Sequence, residues 1–235
     1  TKLTKHIKKC MNMQNTIMTN IETEFWNADE AFRYFYKTIS KHGTVFADTR
    51  ALFNIGFTIH KPEFNTIIDS KRNWNLDYAK AEWEWYLSGN RNINELGNIY
   101  GKVPPIWSRM ADDKGNVNSN YGYQWKRNNQ LDYVIGKLKK HKHTRHAAIS
   151  IYDGKEHDQF ATDTPCTYAV QFTNVDNRLN MCVTMRSNDL WYGFCNDQYQ
   201  FSKLLELVCK ETGLKMGSYF HFAHNLHIYS DKLGL

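Results

Sequence analysis

Cys166 is the residue with the most chemistry to offer. It stands in TPCTYAVQF, directly after Pro165, where a loop enters an apolar strand, a position that can expose a thiol. Arg186 lies on a further strand segment that can neighbour it, and a cation beside the sulfur would lower the thiol pKa and raise the thiolate fraction. The competing reading of Cys166 is a small buried hydrophobe. Residues 185–197, MRSNDLWYGFCND, gather Arg, Ser, Asn and Asp beside aromatic rings, either as a binding cluster or as a solvated turn. In HNLHIY, residues 224–229, strand alternation puts His227 and Tyr229 on one face, where they can grip a hydroxyl group; the alternative for His227 is a satisfied core histidine.

These residues must be positioned by a mixed set of elements. Apolar side chains at intervals of three and four over residues 22–41, acidic early and basic late, predict a helix. β-branched and aromatic residues over 44–59 predict a strand, with Gly56 marking a bend or a close approach. Residues 77–88 read as an amphipathic helix whose buried stripe includes Trp83 or Trp85, with Glu82 on an adjoining face and Gly89 as its stop. From 98 to 125 the pattern breaks into Gly, Pro, Asn and Asp, a length that points to a functional loop. Helical character returns over 129–140. Strands follow at 147–152, 167–175 and 179–187, with a hairpin connection at 175–178. A helix over 197–213 and a last strand over 217–229 complete the pattern. No repeat or linker divides the chain, so residues 1–235 are expected to form one α+β domain, with residues 1–20 as a basic N-terminal extension.

Composition narrows the function classes. At 235 residues the chain can hold a sizeable core, and 41% hydrophobic and 14% aromatic residues describe a globular protein. No run of about 18 apolar residues and no apolar stretch after the basic start argue for a cytoplasmic protein without membrane contact. The five cysteines have neither CxxC nor Cys/His metal spacing, so free thiols and no metal are expected. A net charge of +6 suits an anionic ligand, with much of it in residues 2–9 and 137–145.

The segments EWEWYLSGN, PPIWSRMADDKGNVNSNYGYQW, TRHAAISIY, TPCTYAVQF, MRSNDLWYGFCND and NLHIYS, in that order, resemble the thymidylate synthase family in a match that runs from about residue 78 to 229. Within it they are most similar to the bacteriophage deoxycytidylate hydroxymethylases. The resemblance implies a large curved mixed sheet with packed helices, a homodimer formed through the sheet, and transfer of a one-carbon unit from 5,10-methylenetetrahydrofolate to C5 of a pyrimidine nucleotide. Cys166 matches the family nucleophile, whose addition at C6 makes C5 reactive. Glu82 matches the glutamate that relays protons. Tyr121 and Trp107 match pocket-lining rings, and Asp189 matches the carboxylate that binds the pterin. Arg186 and Ser187 match phosphate ligands, with Arg145 reaching the site from the partner subunit. Arg50 is the candidate for a further phosphate ligand, with Lys41 behind it. His227 and Tyr229 match the pair that holds the sugar hydroxyl.

One position discriminates between bases. Asp197 lies four residues after Gly193, as in the cytosine-directed members, whereas uracil-directed members have asparagine there; Asn196 is the alternative if the register slips by one. A protonated Asp197 carboxyl can donate to N3 and accept from N4 of cytosine. His146 replaces a second family arginine, and Thr167 follows the cysteine where synthases commonly carry histidine. The chain ends eight residues after His227, and a short tail favours water over hydride as the final acceptor chemistry, which points to 5-hydroxymethyl-dCMP. The nearest rivals are a thymidylate synthase and a dUMP hydroxymethylase. A remote one is a non-catalytic nucleic-acid-binding member of the fold, motivated by the basic runs and the abundant aromatic residues.

Overall fold

The computed structural model describes residues 21–157 and 163–234; the expected extension at residues 1–20 lies outside the described residues. The chain runs β1 (Glu24–Phe25), α1 (Ala28–His42), β2 (Thr44–Phe46), β3 (Thr49–Ile59), α2 (Leu76–Ser88), α3 (Ile93–Tyr100), α4 (Pro105–Met110), α5 (Tyr121–Lys126), α6 (Gln130–Lys140), β4 (Ala148–Ser150), β5 (Thr167–Val175), β6 (Arg178–Met185), β7 (Asn188–Asp189), a π-type turn (Leu190–Phe194), α7 (Cys195–Thr212) and β8 (Lys215–Tyr229). The strands form one mixed sheet in the order β1-β3-β8-β6-β5-β4, with β2 added to β3 and β7 added to β8.

Three pairs are parallel, β1 with β3, β6 with β8 and β7 with β8; α1 lies in the connection of the first and α7 in that of the other two. The antiparallel pair β3 and β8 runs from Thr49 opposite Tyr229 to Ile59 opposite Tyr219. Along β8 the pleat sends Tyr219, His221 and Ala223 into the core while Phe220 and His224 face outward. Helices α1, α2 and α7 cover the inner face around Phe32, Phe35, Trp85, Phe201 and Leu204, all buried. None of the described helices is long and apolar enough to cross a membrane.

Several boundaries differ from those the sequence predicts. The first helix begins at Ala28, because Asn27 caps it by accepting from the Glu30 amide at 2.9 Å while Glu30 accepts from the Trp26 amide at 2.7 Å. Residues 24–25 instead extend the sheet as β1. The span 44–59 is a hairpin of two strands, and Gly56 provides a close approach: a Cβ there would stand 2.7 Å from the Phe220 ring. The expected long loop at 98–125 contains α4, α5 and the end of α3. Six-residue helices are too short to show a period, and the Pro104-Pro105 start of α4 reads as a breaker, although proline fits a first helical turn. The last long helix begins at Cys195, extended backwards by the π-type turn that Asp189 caps.

Gly122 in α5 shows how tightly the helical layer is built. A Cβ there would lie 1.8 Å from the Tyr86 carbonyl oxygen, so α5 meets the backbone of α2 directly. That contact brings Tyr121 to the inner end of α2.

Candidate active site

Cys166 lies at the mouth of β5, and the bond from the Arg186 amide to its carbonyl at 2.8 Å fixes it beside the end of β6. The Arg186 guanidinium closes the preceding turn, with Nε donating to the Pro165 carbonyl at 3.1 Å and Nη2 to the Thr164 carbonyl at 2.7 Å. Asp163, also buried, accepts from the Ser119 amide at 2.8 Å and from the Ser119 hydroxyl. The cysteine loop is therefore tied at both ends.

Arg186 does not make Cys166 acidic. Burial pushes the thiol up to about 11; the guanidinium opposes this, but Asp197, Asp163 and Asp189 add to the rise. The expected lowering by Arg186 is present, and burial outweighs it.

Glu82 is buried in α2 rather than on an adjoining face, and both flanking tryptophans, Trp83 and Trp85, are buried as well. Each oxygen of its carboxyl accepts one hydrogen bond: the Tyr78 hydroxyl donates to Oε1 at 2.6 Å and Gln200 Nε2 donates to Oε2 at 2.8 Å. Trp107 Nε1 donates in turn to the Tyr78 hydroxyl at 2.7 Å. Burial raises Glu82 to about 7 despite these donors. Asp197, on the first turn of α7, rises to about 8 through burial and the neighbouring Glu82 and Asp189 charges, with the hydrogen bond from Asn188 opposing. Two carboxyls with values near neutrality thus lie within electrostatic reach of one another, and the Tyr121 hydroxyl feels both Asp197 and Cys166.

A family model described as Thymidylate synthase matches residues 35–234. The chain belongs to the thymidylate synthase family. Similar proteins include the deoxycytidylate 5-hydroxymethyltransferase of Enterobacteria phage T4, 34% identical over 172 residues, 66% of this chain and 68% of that protein. The thymidylate synthase of Fusobacterium nucleatum subsp. nucleatum is 33% identical over 159 residues, 64% of this chain and 56% of that protein. Thymidylate synthase 1 of Bacillus subtilis is 25% identical over 193 residues, 78% and 67% of the two chains.

In this thymidylate synthase family chain, most of the residues singled out from the sequence converge. His227 is buried on β8, with Nδ1 and Asn225 Oδ1 3.0 Å apart, and its ring packs edge-on against Tyr229 with 5.4 Å between centroids. Asp189 faces His227 electrostatically, and Tyr229 responds to both Asp189 and Cys166. Asp189 Oδ1 caps the π-type turn, accepting from the Trp191 and Tyr192 amides at 2.8 and 3.2 Å. Ser187 follows Arg186 between β6 and β7. Arg50 sits on β3 opposite Ile228, one strand away from His227, and its Nη1 reaches the Gly43 carbonyl at 3.5 Å.

Two of the expected residues stand apart from this cluster. Arg145 is exposed in the connection before β4, at the far edge of the sheet. Asn196 turns away, with Oδ1 accepting from Trp74 Nε1 at 2.8 Å and Nδ2 donating to the Tyr192 carbonyl at 3.2 Å. Arg72 donates to the Trp191 carbonyl at 2.6 Å and lies over the Trp191 ring. Sequence reasoning missed Tyr78 and Gln200. Tyr78 had a signal, since it lies four residues before Glu82 on the same helix face. Gln200 had none, because only the packing of α7 on α2 brings it to Glu82.

Two measurements follow from these electrostatics. Peptide-resolved alkylation of Cys166 by iodoacetamide is expected to be slow at pH 8 and to rise through pH 10 to 11; full labelling at pH 7 would contradict the raised thiol. Glu82 retains a proton that the unfolded chain has released, so the stability it contributes is complete below about pH 4.5 and is lost as pH rises through about 7. Glu82→Gln should accordingly gain on the order of 3 kcal/mol relative to the unaltered protein between pH 5 and pH 8, read by urea unfolding, with a pH-independent difference counting against it.

Proposed function

We propose that this chain is a folate-dependent deoxycytidylate 5-hydroxymethyltransferase acting as a single domain. The observation that carries the choice of base is the commitment of Asn196 to Trp74 and Tyr192, which leaves Asp197 as the residue beside Glu82. A carboxyl raised to about 8 is largely neutral at pH 7. Neutral Asp197 can donate one hydrogen bond to N3 of cytosine and accept one from N4, a pattern uracil does not match in the same orientation. The name of the phage T4 relative supports the same base and the same product.

In this reading the Cys166 sulfur, after loss of its proton, forms a bond to C6 of dCMP. The ring electrons move to C5, which bonds to the one-carbon unit of methylenetetrahydrofolate. Glu82, poised near neutrality and held by Tyr78 and Gln200, is suited to move protons between the ring and ordered water. Loss of the C5 proton and departure of tetrahydrofolate leave an exocyclic methylene. Water adds to that carbon as the C6–sulfur bond breaks, giving 5-hydroxymethyl-dCMP and the free thiol. Tyr121 lines the base pocket, and Trp107 and Asp189 are assigned to the folate. Arg186, Ser187 and Arg50 are assigned to the phosphate, and His227 with Tyr229 to the sugar. Arg186 spends one N–H of Nε and one of Nη2 on the cysteine loop, and a guanidinium has further N–H groups for an anion.

Arg145 can join this site only from a second copy, and we assign it to a homodimer formed through the sheet. The outward face supports that assignment: Phe220 and Tyr168 are 38% and 37% exposed, and His224 packs edge-on against both Phe222 and Tyr168. A large aromatic patch of this kind is rarely left to solvent.

Tritium release from C5-tritiated dCMP and dUMP, each with methylenetetrahydrofolate, tests the base: release from dCMP is expected at least about tenfold faster, and release from dUMP alone would overturn the assignment of Asp197. Product mass then separates hydroxymethyl from methyl. Sedimentation at micromolar concentration should give twice the chain mass, and a monomer that retains full activity would remove Arg145 from the site.

A further inference from the structure

We propose that Asn188 is a positioning residue for base recognition: its amide fixes which oxygen of Asp197 accepts and which one carries the proton offered to the base. This rests on the cytosine reading above. Asn188 is 2% exposed and belongs to the two-residue strand β7, whose backbone is paired with Leu226 of β8. Its Nδ2 donates to Asp197 Oδ2 at 2.8 Å. Among the described residues no other side chain hydrogen-bonds to that carboxyl.

An amide nitrogen donates and never accepts, so the oxygen facing it cannot hold a proton along that line. When Asp197 is neutral, its proton is therefore directed to Oδ1. Oδ2 keeps a second lone pair, enough to accept from the exocyclic N4 amine while Oδ1–H donates to N3. Without Asn188 nothing on this side biases the proton to Oδ1, and the neutral carboxyl can match either base, donating to N3 of cytosine or accepting from N3–H of uracil.

The surrounding backbone supports the pairing independently. A Cβ on Gly193 would stand 3.1 Å from Asn188 Nδ2 and 3.2 Å from Asp197 Oδ2. Gly193 has no positive φ, so a side chain there would be resisted by space, not by backbone conformation, and would have to displace the pair by a few tenths of an ångström. The π-type turn thus wraps directly over the amide–carboxyl contact. Asn188 Oδ1 is buried without a hydrogen-bond partner among the described residues, a cost that an apolar residue of similar shape would avoid.

The groups facing Asp197 are Glu82 from α2 and Asp189 from β7, with Tyr78, Tyr86, Tyr121, Tyr219 and Cys166 responding to its charge. Donation from Asn188 favours the ionised form of Asp197, so removing it moves ionisation to higher pH.

The test is C5-tritium release from dCMP and dUMP between pH 6 and pH 10 for Asn188→Leu and Gly193→Ala, each with a thermal melt. Asn188→Leu is expected to lower kcat/KM for dCMP on the order of tenfold, to reduce the preference for dCMP over dUMP, and to shift the alkaline limb upward by about one pH unit. In an Asp197→Asn background it should shift that limb no further. Gly193→Ala keeps the amide but displaces the pair, and should lower the base preference in the same direction. A rate loss that follows a lowered melting temperature, with the limb and the base ratio unmoved in both variants, would reduce Asn188 to packing and overturn the proposal. If the unaltered enzyme prefers dUMP, the cytosine reading fails by itself, and the limb of Asn188→Leu still decides whether the amide acts through Asp197.

Discussion

Two carboxyl groups, Glu82 and Asp197, are both desolvated by burial, and the charge of Glu82 makes the ionisation of Asp197 more costly still. Low dielectric strengthens every charge interaction there and penalises any charge left unpaired. The neighbouring side chains accommodate this with donors: Tyr78 and Gln200 to Glu82, and Asn188 to Asp197. No lysine or arginine hydrogen-bonds to either carboxyl among the described residues. A nearby cation would fix both groups as permanent anions, whereas neutral donors leave both able to exchange protons near pH 7. The helix α2 and the helix α7 must pack closely for Gln200 to reach Glu82, so the acid–base pair and the helical layer depend on one another.

The sulfur is managed by a different device. Arg186 spends part of its guanidinium on the carbonyls of Thr164 and Pro165, and Asp163 anchors the other side of the same turn through Ser119. The loop is held in place by bonds to its backbone, which constrain its path without depending on the charge state of Cys166. The thiol itself stays protonated in this environment, so its conversion to a nucleophile belongs to the catalytic cycle and is not a resting property of the fold.

Much of this arrangement was legible in the sequence. Segments with strong local signals were found near their true ends: α2 by its capped amphipathic run, β5 and β6 by alternation around Asp176-Asn177, both of which adopt the left-handed conformation that a tight hairpin requires. Cys166, Glu82, Asp197 and His227 were identified through a resemblance that covers their flanking motifs, and charge coupling links Asp197 to Glu82 and Cys166, and Asp189 to His227. What stayed hidden was everything set by tertiary contact. The short helices α4 and α5 are too brief for periodicity, β1 is a two-residue strand made by pairing alone, and the start of α1 depends on a reciprocal cap rather than on hydrophobic spacing. Gln200 and Asn188 act through partners 118 and nine positions away, and neither distance leaves a mark on local sequence. The roles of Asn196 and Arg72 were obscured for the same reason, since their partners Trp74 and Trp191 come from other elements.

The pairing of β3 with β8 joins residues 49–59 to residues 219–229, nearly the full described length apart. Arg50 stands on the first of these strands and His227 on the second; Arg50 pairs with Ile228 and Ala51 with His227, so the pleat sends the two side chains to opposite faces of a seam between early and late chain. Loop-closure entropy must be met before such a seam yields any stabilisation. During synthesis β3 waits for its main partner until nearly all of the described chain has been made. The inner face of β3, with Ile55 and Phe57, needs shelter until then, and α1, which precedes it and packs on it, is the element available to give that shelter.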